Sequence, residues 1–230
     1  MNKLWGLAGA IVCCFSTCAH AAVITPVNDA LVPLSSPTSV FDFNAHPGNV
    51  YGLNLGTVLN PNGIDVRDLF GMEYSATEPH NVLFKDQSKG FVNSVRVILE
   101  SPIQLKSYAL YLKDNTGTGG RSASEFRLFA GTTMIDDVNL LDSTGTQSYM
   151  GVYGGDNLQI SNDLVGAPLT NDYTLQFVQN QDGPFVGVRA EEFQGFVTSG
   201  AVPEPGSAAI VALAMAAVGV AGRRRGRGNG

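Results

Sequence analysis

The sequence predicts an all-β fold, a β-sandwich or jelly roll, on three observations. Between Ala22 and Ser199 no run of about ten residues carries the 3.6-residue apolar period of an amphipathic helix. Short stretches that alternate apolar and polar residues recur instead, at intervals of about eight to twelve residues. Gly- and Pro-rich turns separate them.

Taken in order, Ala22 to Pro47 holds prolines at 26, 33, 37 and 47, which remove backbone donors and fix φ. It reads as an edge strand or loose lead-in with one strand-like patch, Val40-Phe41-Asp42-Phe43. Tyr51 to Leu59 alternates loosely, and Asn60-Pro61-Asn62-Gly63 is a turn. Asp65 to Tyr74 has no clear period and reads as a loop with room for one helical turn. Phe91 to Leu99 alternates, with Phe91, Asn93, Val95, Val97 and Leu99 on one face, as a half-buried strand does. Ser101-Pro102 is expected to break it before Leu105 to Lys113 starts again. Asp114 to Gly120 is a turn region. Glu125 to Ala130, Gly131-Thr132 and Thr133 to Leu141 read as a hairpin. Asn157 to Ile160 is a short strand, Tyr173 to Gln179 a clean alternating one, and Phe185 to Phe196 a second long one.

The two ends differ from this middle. Lys3, the apolar run Leu4 to Thr17 and the small-x-small site Ala19-His20-Ala21 predict a signal peptide over residues 1–21, cut before Ala22 by signal peptidase after engagement of the secretion machinery. At the other end, Pro205 to Gly222 is 18 residues without a charge. As a helix it would span roughly 27 Å, against a hydrocarbon core of about 30 Å. A transmembrane helix is therefore expected over 206–222, held by Arg223, Arg224, Arg225 and Arg227 as a cytoplasmic stop. Seven of the 18 residues are alanine, which makes it a weak anchor. Residues 22–200 remain for one β-sandwich domain.

All three cysteines (Cys13, Cys14, Cys18) and the single tryptophan (Trp5) lie in the leader, so the exported domain has no thiol and no disulfide. Of 14 basic residues, nine fall within residues 22–202; of 20 acidic ones, 19 do. A charge near −10 opposes binding to phosphate backbones, so nucleic acid is not expected as a partner.

Val202-Pro203-Glu204-Pro205, the uncharged run and the arginines together resemble the PEP-CTERM sorting signal, here residues 201–230 with its motif at 202–206. The resemblance implies recognition and cleavage by an exosortase, in bacteria that make exopolysaccharide. It also implies export through the inner membrane, a transient anchor there, and then a place at the cell surface or outside the cell. A second resemblance lies in Val95 to Leu99, the Pro102 break, Tyr108 to Tyr111, Phe126 to Gly131 and Gly187 to Phe196. In pattern and order these are similar to galactose-binding-like jelly rolls of the discoidin type. Such domains often carry a hairpin tryptophan and a cysteine pair, and this chain has neither.

Catalytic chemistry finds no footing in the residues. Glu191 and Glu192 are strand neighbours, which by alternation point to opposite faces and cannot converge on one substrate. One of them is expected to pair with a basic neighbour, and Arg189 is expected to be a buried or rim ion-pair partner. His46 and His80 are the only histidines of the exported chain, too few for zinc without cysteine, and no serine stands in a Gly-x-Ser-x-Gly elbow. No cofactor is expected, with one alternative: Asp114, Asn115, Asp136, Asp137, Asp156 and Asn157 supply oxygen ligands for a structural calcium or serve as solvated turns. For carbohydrate, the best aromatic cluster is Tyr149 and Tyr153 with Asp156, ahead of Tyr51 and Tyr74; the alternative is ring packing within the sandwich. The expectation is a non-catalytic surface or matrix protein associated with exopolysaccharide. A carbohydrate-binding module of the same fold is the alternative, and a secreted hydrolase has the least support.

Overall fold

In a computed structural model the described residues are 22–27, 38–54, 56–60, 65–71, 82–113, 121–141 and 157–198. The leader, the C-terminal segment, and Tyr74, His80, Asp114, Asn115, Tyr149, Tyr153 and Asp156 lie outside them. The described residues form ten strands: β1 (Val23–Val27), β2 (Val50–Leu53), β3 (Val82–Leu83), β4 (Val92–Ile103), β5 (Ser107–Leu112), β6 (Ala123–Ala130), β7 (Thr133–Asn139), β8 (Asn157–Asp163), β9 (Thr170–Gln179) and β10 (Arg189–Phe196). Two five-stranded antiparallel sheets result, in the orders β1-β8-β5-β10-β3 and β2-β4-β9-β6-β7. The all-β sandwich expected from the sequence is what forms.

Strands β4 and β9 alternate because one face is buried and the other wet. Val95, Val97 and Leu99 enter the core opposite Leu175 and Tyr173, while Arg96 faces solvent and pairs with Asp172 at 2.7 Å. The core is aromatic. Phe193 of β10 stands edge-on to Phe41 at 5.1 Å and stacks on Tyr108 at 5.7 Å, and Phe126 reaches Phe177 at 5.4 Å across the β6–β9 pair. Such rings combine a large buried area with directional ring contacts. Tyr51, one of the lesser sugar candidates, is used here instead: its ring lies 4.8 Å from Phe70 and its hydroxyl donates to the Phe41 carbonyl at 2.7 Å.

Four local expectations are corrected. Val40 to Phe43 is a run of turns and not a strand, because the Asp42 carboxylate accepts the Asn44 and Ala45 N–H groups and curls the chain. Ser101-Pro102 does not end β4; the strand continues to Ile103, and its pairing with β9 lapses between Ile98 and Ile103, which leaves Pro102 no donor to supply. The long strand expected from Phe185 begins only at Arg189.

The fourth correction concerns Glu191 and Glu192. The β5–β10 register slips between Ala190 and Glu192, so Glu191 is the extra residue of a bulge and strict alternation fails there. Both carboxylates are buried and close enough to repel one another. Glu191 takes the basic partners expected of one of the pair, Lys113 at 3.8 Å and Arg189 at 4.0 Å. Glu192 is only 3% exposed. Burial pushes its carboxyl well above the usual range, against hydrogen bonds from the Gly71 N–H and the Gln194 side chain, and Asp42 and Glu191 add to the rise.

That rise sets a pH dependence. The folded protein keeps a proton on Glu192 that the unfolded chain releases once pH passes the ordinary carboxyl range. The acid thus costs no stability below that range, and progressively more as pH climbs toward the folded-state pKa. Glu192→Gln keeps the acceptor for Gly71 and removes the cost. It is expected to raise Tm at pH 7, by about 2–4 °C for each kcal/mol relieved, and to change little near pH 4. Thermal melts at the two pH values check this; an equal shift at both contradicts it.

Candidate functional site

Four connections cross between the sheets at one end of the sandwich: β3 to β4, β5 to β6, β7 to β8 and β9 to β10. Registers place them together, since Arg189 pairs with Leu83, Ala190 and Leu158 with Leu112, and Ala123 and Val92 lie beside Gln179 and Val178. The β3–β4 and β9–β10 connections are tied to one another. The Gln179 amide donates to the Gln87 carbonyl and, at 3.2 Å, to that of Gln181, and the Lys89 N–H donates to Asp182 at 2.7 Å.

The most organised piece of this end is an arch over 185–187. Asp86 gathers three backbone donors, from Phe185 at 2.9 Å, Val186 at 2.9 Å and Gly187 at 2.7 Å. Partial burial alone would raise its carboxyl, but the three N–H groups and the nearby Arg121 hold it below the usual range. The arch needs glycine at 187, where a Cβ would stand 2.0 Å from the Phe84 carbonyl oxygen. It also turns Phe185 to φ 60°, outside the strand region, and leaves its ring 68% exposed. The Arg121 guanidinium lies 5.9 Å from that ring's centroid, and its Nη1, shielded from water, has no acceptor in hydrogen-bond range among the described residues.

An exposed ring with a donor poised beside it suits a ligand that has an apolar face and acceptor oxygens. The carboxylates there are committed to structure: Asp86 to the arch, Glu191 to its cations.

Beside this end, a shallow hollow of about 310 Å3 is lined by Ser124, Glu125, Asp137, Asn139 and Leu141. Arg127 pairs with Glu125 through two hydrogen bonds and holds its carboxyl low; partial burial and Glu125 raise that of Asp137. Asp136, counted among the calcium ligands, accepts instead from the Tyr108 hydroxyl at 2.6 Å and from Asn162 at 2.9 Å. Among the described residues no three His, Cys, Asp or Glu side chains gather as metal ligands.

The sequence candidates Tyr149, Tyr153 and Asp156 lie outside the described residues, but the strands that bracket them, β7 and β8, open onto this same end. Sequence reasoning missed Phe185, Arg121 and Asp86. The available signal was Asp182-Gly183-Pro184 directly before Phe185, which marks an aromatic on a turn; nothing local marks Asp86 or Arg121.

The sorting residues, Val202 to Pro205 and the four tail arginines, also lie outside the described residues. Residues 201–225 match the family model of the PEP-CTERM protein-sorting motif. The C-terminal segment is a PEP-CTERM motif. Its match covers only that segment, and among the described residues no helix is long and apolar enough to cross a membrane.

Among solved structures, the sandwich is similar to a CBM32 domain from Clostridium perfringens in complex with GalNAc-β-1,3-galactose, at 13% identity over 65% of this chain and 96% of that one, with a TM-score of 0.42. It is also similar to the lectin domain of lectinolysin complexed with Lewis b antigen, at 8% identity over 70% and 97% of the two chains, with a TM-score of 0.45. A two-domain CBM32 structure from Clostridium perfringens ZmpB with GalNAc matches at 14% identity and a TM-score of 0.45, over 79% of this chain and 42% of that one. No curated protein matches the chain.

Proposed function

We propose that this is an exported, non-catalytic surface or matrix protein whose PEP-CTERM segment is recognised and cut by an exosortase. The cut releases the β-sandwich from the inner membrane to the cell surface, in association with exopolysaccharide. One observation carries the reading: the motif match over 201–225. The leader predicted over residues 1–21 and the cysteine-free domain suit an exported chain. In the producing bacterium, deletion of the exosortase gene is expected to leave the protein in the inner membrane fraction. Unchanged delivery to the surface contradicts it.

A second reading, a carbohydrate-binding module, is favoured by one arrangement: the exposed Phe185 ring beside the Arg121 guanidinium, on an arch fixed by Asp86. A sugar's apolar face would cover the ring, and its oxygens would accept from Arg121. On a glycan array, Phe185→Ala is then expected to weaken binding by about tenfold or more, the equivalent of ~1.4 kcal/mol. If Tyr153→Ala abolishes binding while Phe185→Ala leaves it intact, the aromatic cluster read from the sequence is the site and the arch is not.

A further inference from the structure

We propose that the opposite end of the sandwich is a membrane-docking face: it rests on the outer leaflet of the bilayer that holds the uncleaved precursor and turns the Phe185 end away from the lipid. The inference rests on the reading of the PEP-CTERM segment as membrane-held before cleavage.

Strand β10 starts at Arg189 among the crossing loops and ends at Phe196, about 23 Å away at strand rise, at the far end. The chain leaves the described fold there, at Thr198, whose carbonyl accepts from the Ser107 hydroxyl at 2.8 Å. Seven residues, and so eight Cα–Cα steps, separate Thr198 from Gly206, where the apolar run begins. Fully extended they reach at most about 29 Å. The end of the sandwich where β10 stops is thus tethered close to the bilayer, and the loop end is not.

That tethered end carries four of the eight large apolar side chains that stand exposed among the described residues. Leu169 is 72% exposed, Val165 62%, Val197 49% and Met134 49%. Backbone bonds place them on one rim. The Lys106 N–H donates to the Phe196 carbonyl and its own carbonyl accepts from Leu164, which ties the Val165 turn to the exit of β10. Gln104 donates to Ala167, and Gly131 donates to the Asp172 carbonyl, which brings the Met134 hairpin to the start of β9 beside Leu169. The Arg96–Asp172 ion pair there is internally neutral. An exposed apolar rim within tether reach of lipid buries its side chains at the headgroup–acyl boundary without reshaping the fold.

The exported domain has no tryptophan, so one can be introduced as a probe in the full chain with Trp5→Phe. Leu169→Trp and, at the loop end, Val58→Trp are reconstituted into vesicles whose lipids carry brominated acyl chains, and flotation is scored alongside emission. The Leu169→Trp probe is expected to lose about half its emission, as an interfacial side chain does, while the Val58→Trp probe keeps its own. Val165→Asp in the same background should restore the emission without affecting flotation. A chain that floats with both probes unquenched, or equally quenched, overturns the docking face alone. A Leu169→Trp probe shielded only as protein concentration rises assigns the rim to a second copy of the chain and overturns it too. A chain that does not float overturns the membrane-held precursor, and the docking face with it.

Discussion

Phe193→Ala is expected to cost the sandwich about 3–5 kcal/mol, a large share of the 5–15 kcal/mol that holds a domain folded. Phe193 is the ring on which the two sheets meet. It touches Phe41, Phe70, Tyr108 and Phe126 within 6.3 Å centroid to centroid, and it is fully buried on a strand whose eight residues are all buried. The neighbours cannot collapse into the space, because Phe41 already presses against Gly195, where a Cβ would meet its ring at 2.3 Å. Urea unfolding followed by circular dichroism measures the loss. A change below about 1 kcal/mol would mean that the core is more plastic than these contacts allow.

Glu204→Ala is expected to leave export intact, since leader and arginines are untouched, yet to hold nearly all of the precursor in the inner membrane. Pro203 and Pro205 keep the backbone at the outer edge of the span extended and open to a protease, and Glu204 is the one charged group between them. Fractionation with an antibody to the sandwich separates the outcomes. Surface delivery of the variant at the normal level would show that this carboxylate is not what the protease reads.

How much of this was legible in the sequence follows from how each part is built. Strands β4, β6 and β9 could be read because one face is wet, so Arg96 or Arg127 alternates with Val95 or Phe126. Strands β5 and β10 lie in a sheet covered on both sides, and all six and all eight of their residues are buried. Alternation vanishes there, so the sequence pattern starts β10 four residues early, at Phe185, and carries no sign of the bulge at Glu191. The arch was illegible for a different reason. Asp86 reaches donors 99 to 101 residues away, and no local pattern encodes a bond of that span. The sorting motif was the reverse case, because a protease reads it as linear sequence: proline, glutamate, proline, apolar run and arginines all stand in order within residues 201–230.

C-terminal mass spectrometry of the surface-localised protein tests the exosortase reading most directly. The mature chain is expected to end near Pro203-Glu204-Pro205, with the apolar run and the arginines left behind. A surface form that still carries Arg223 to Arg225 would make the segment a permanent anchor and contradict processing altogether.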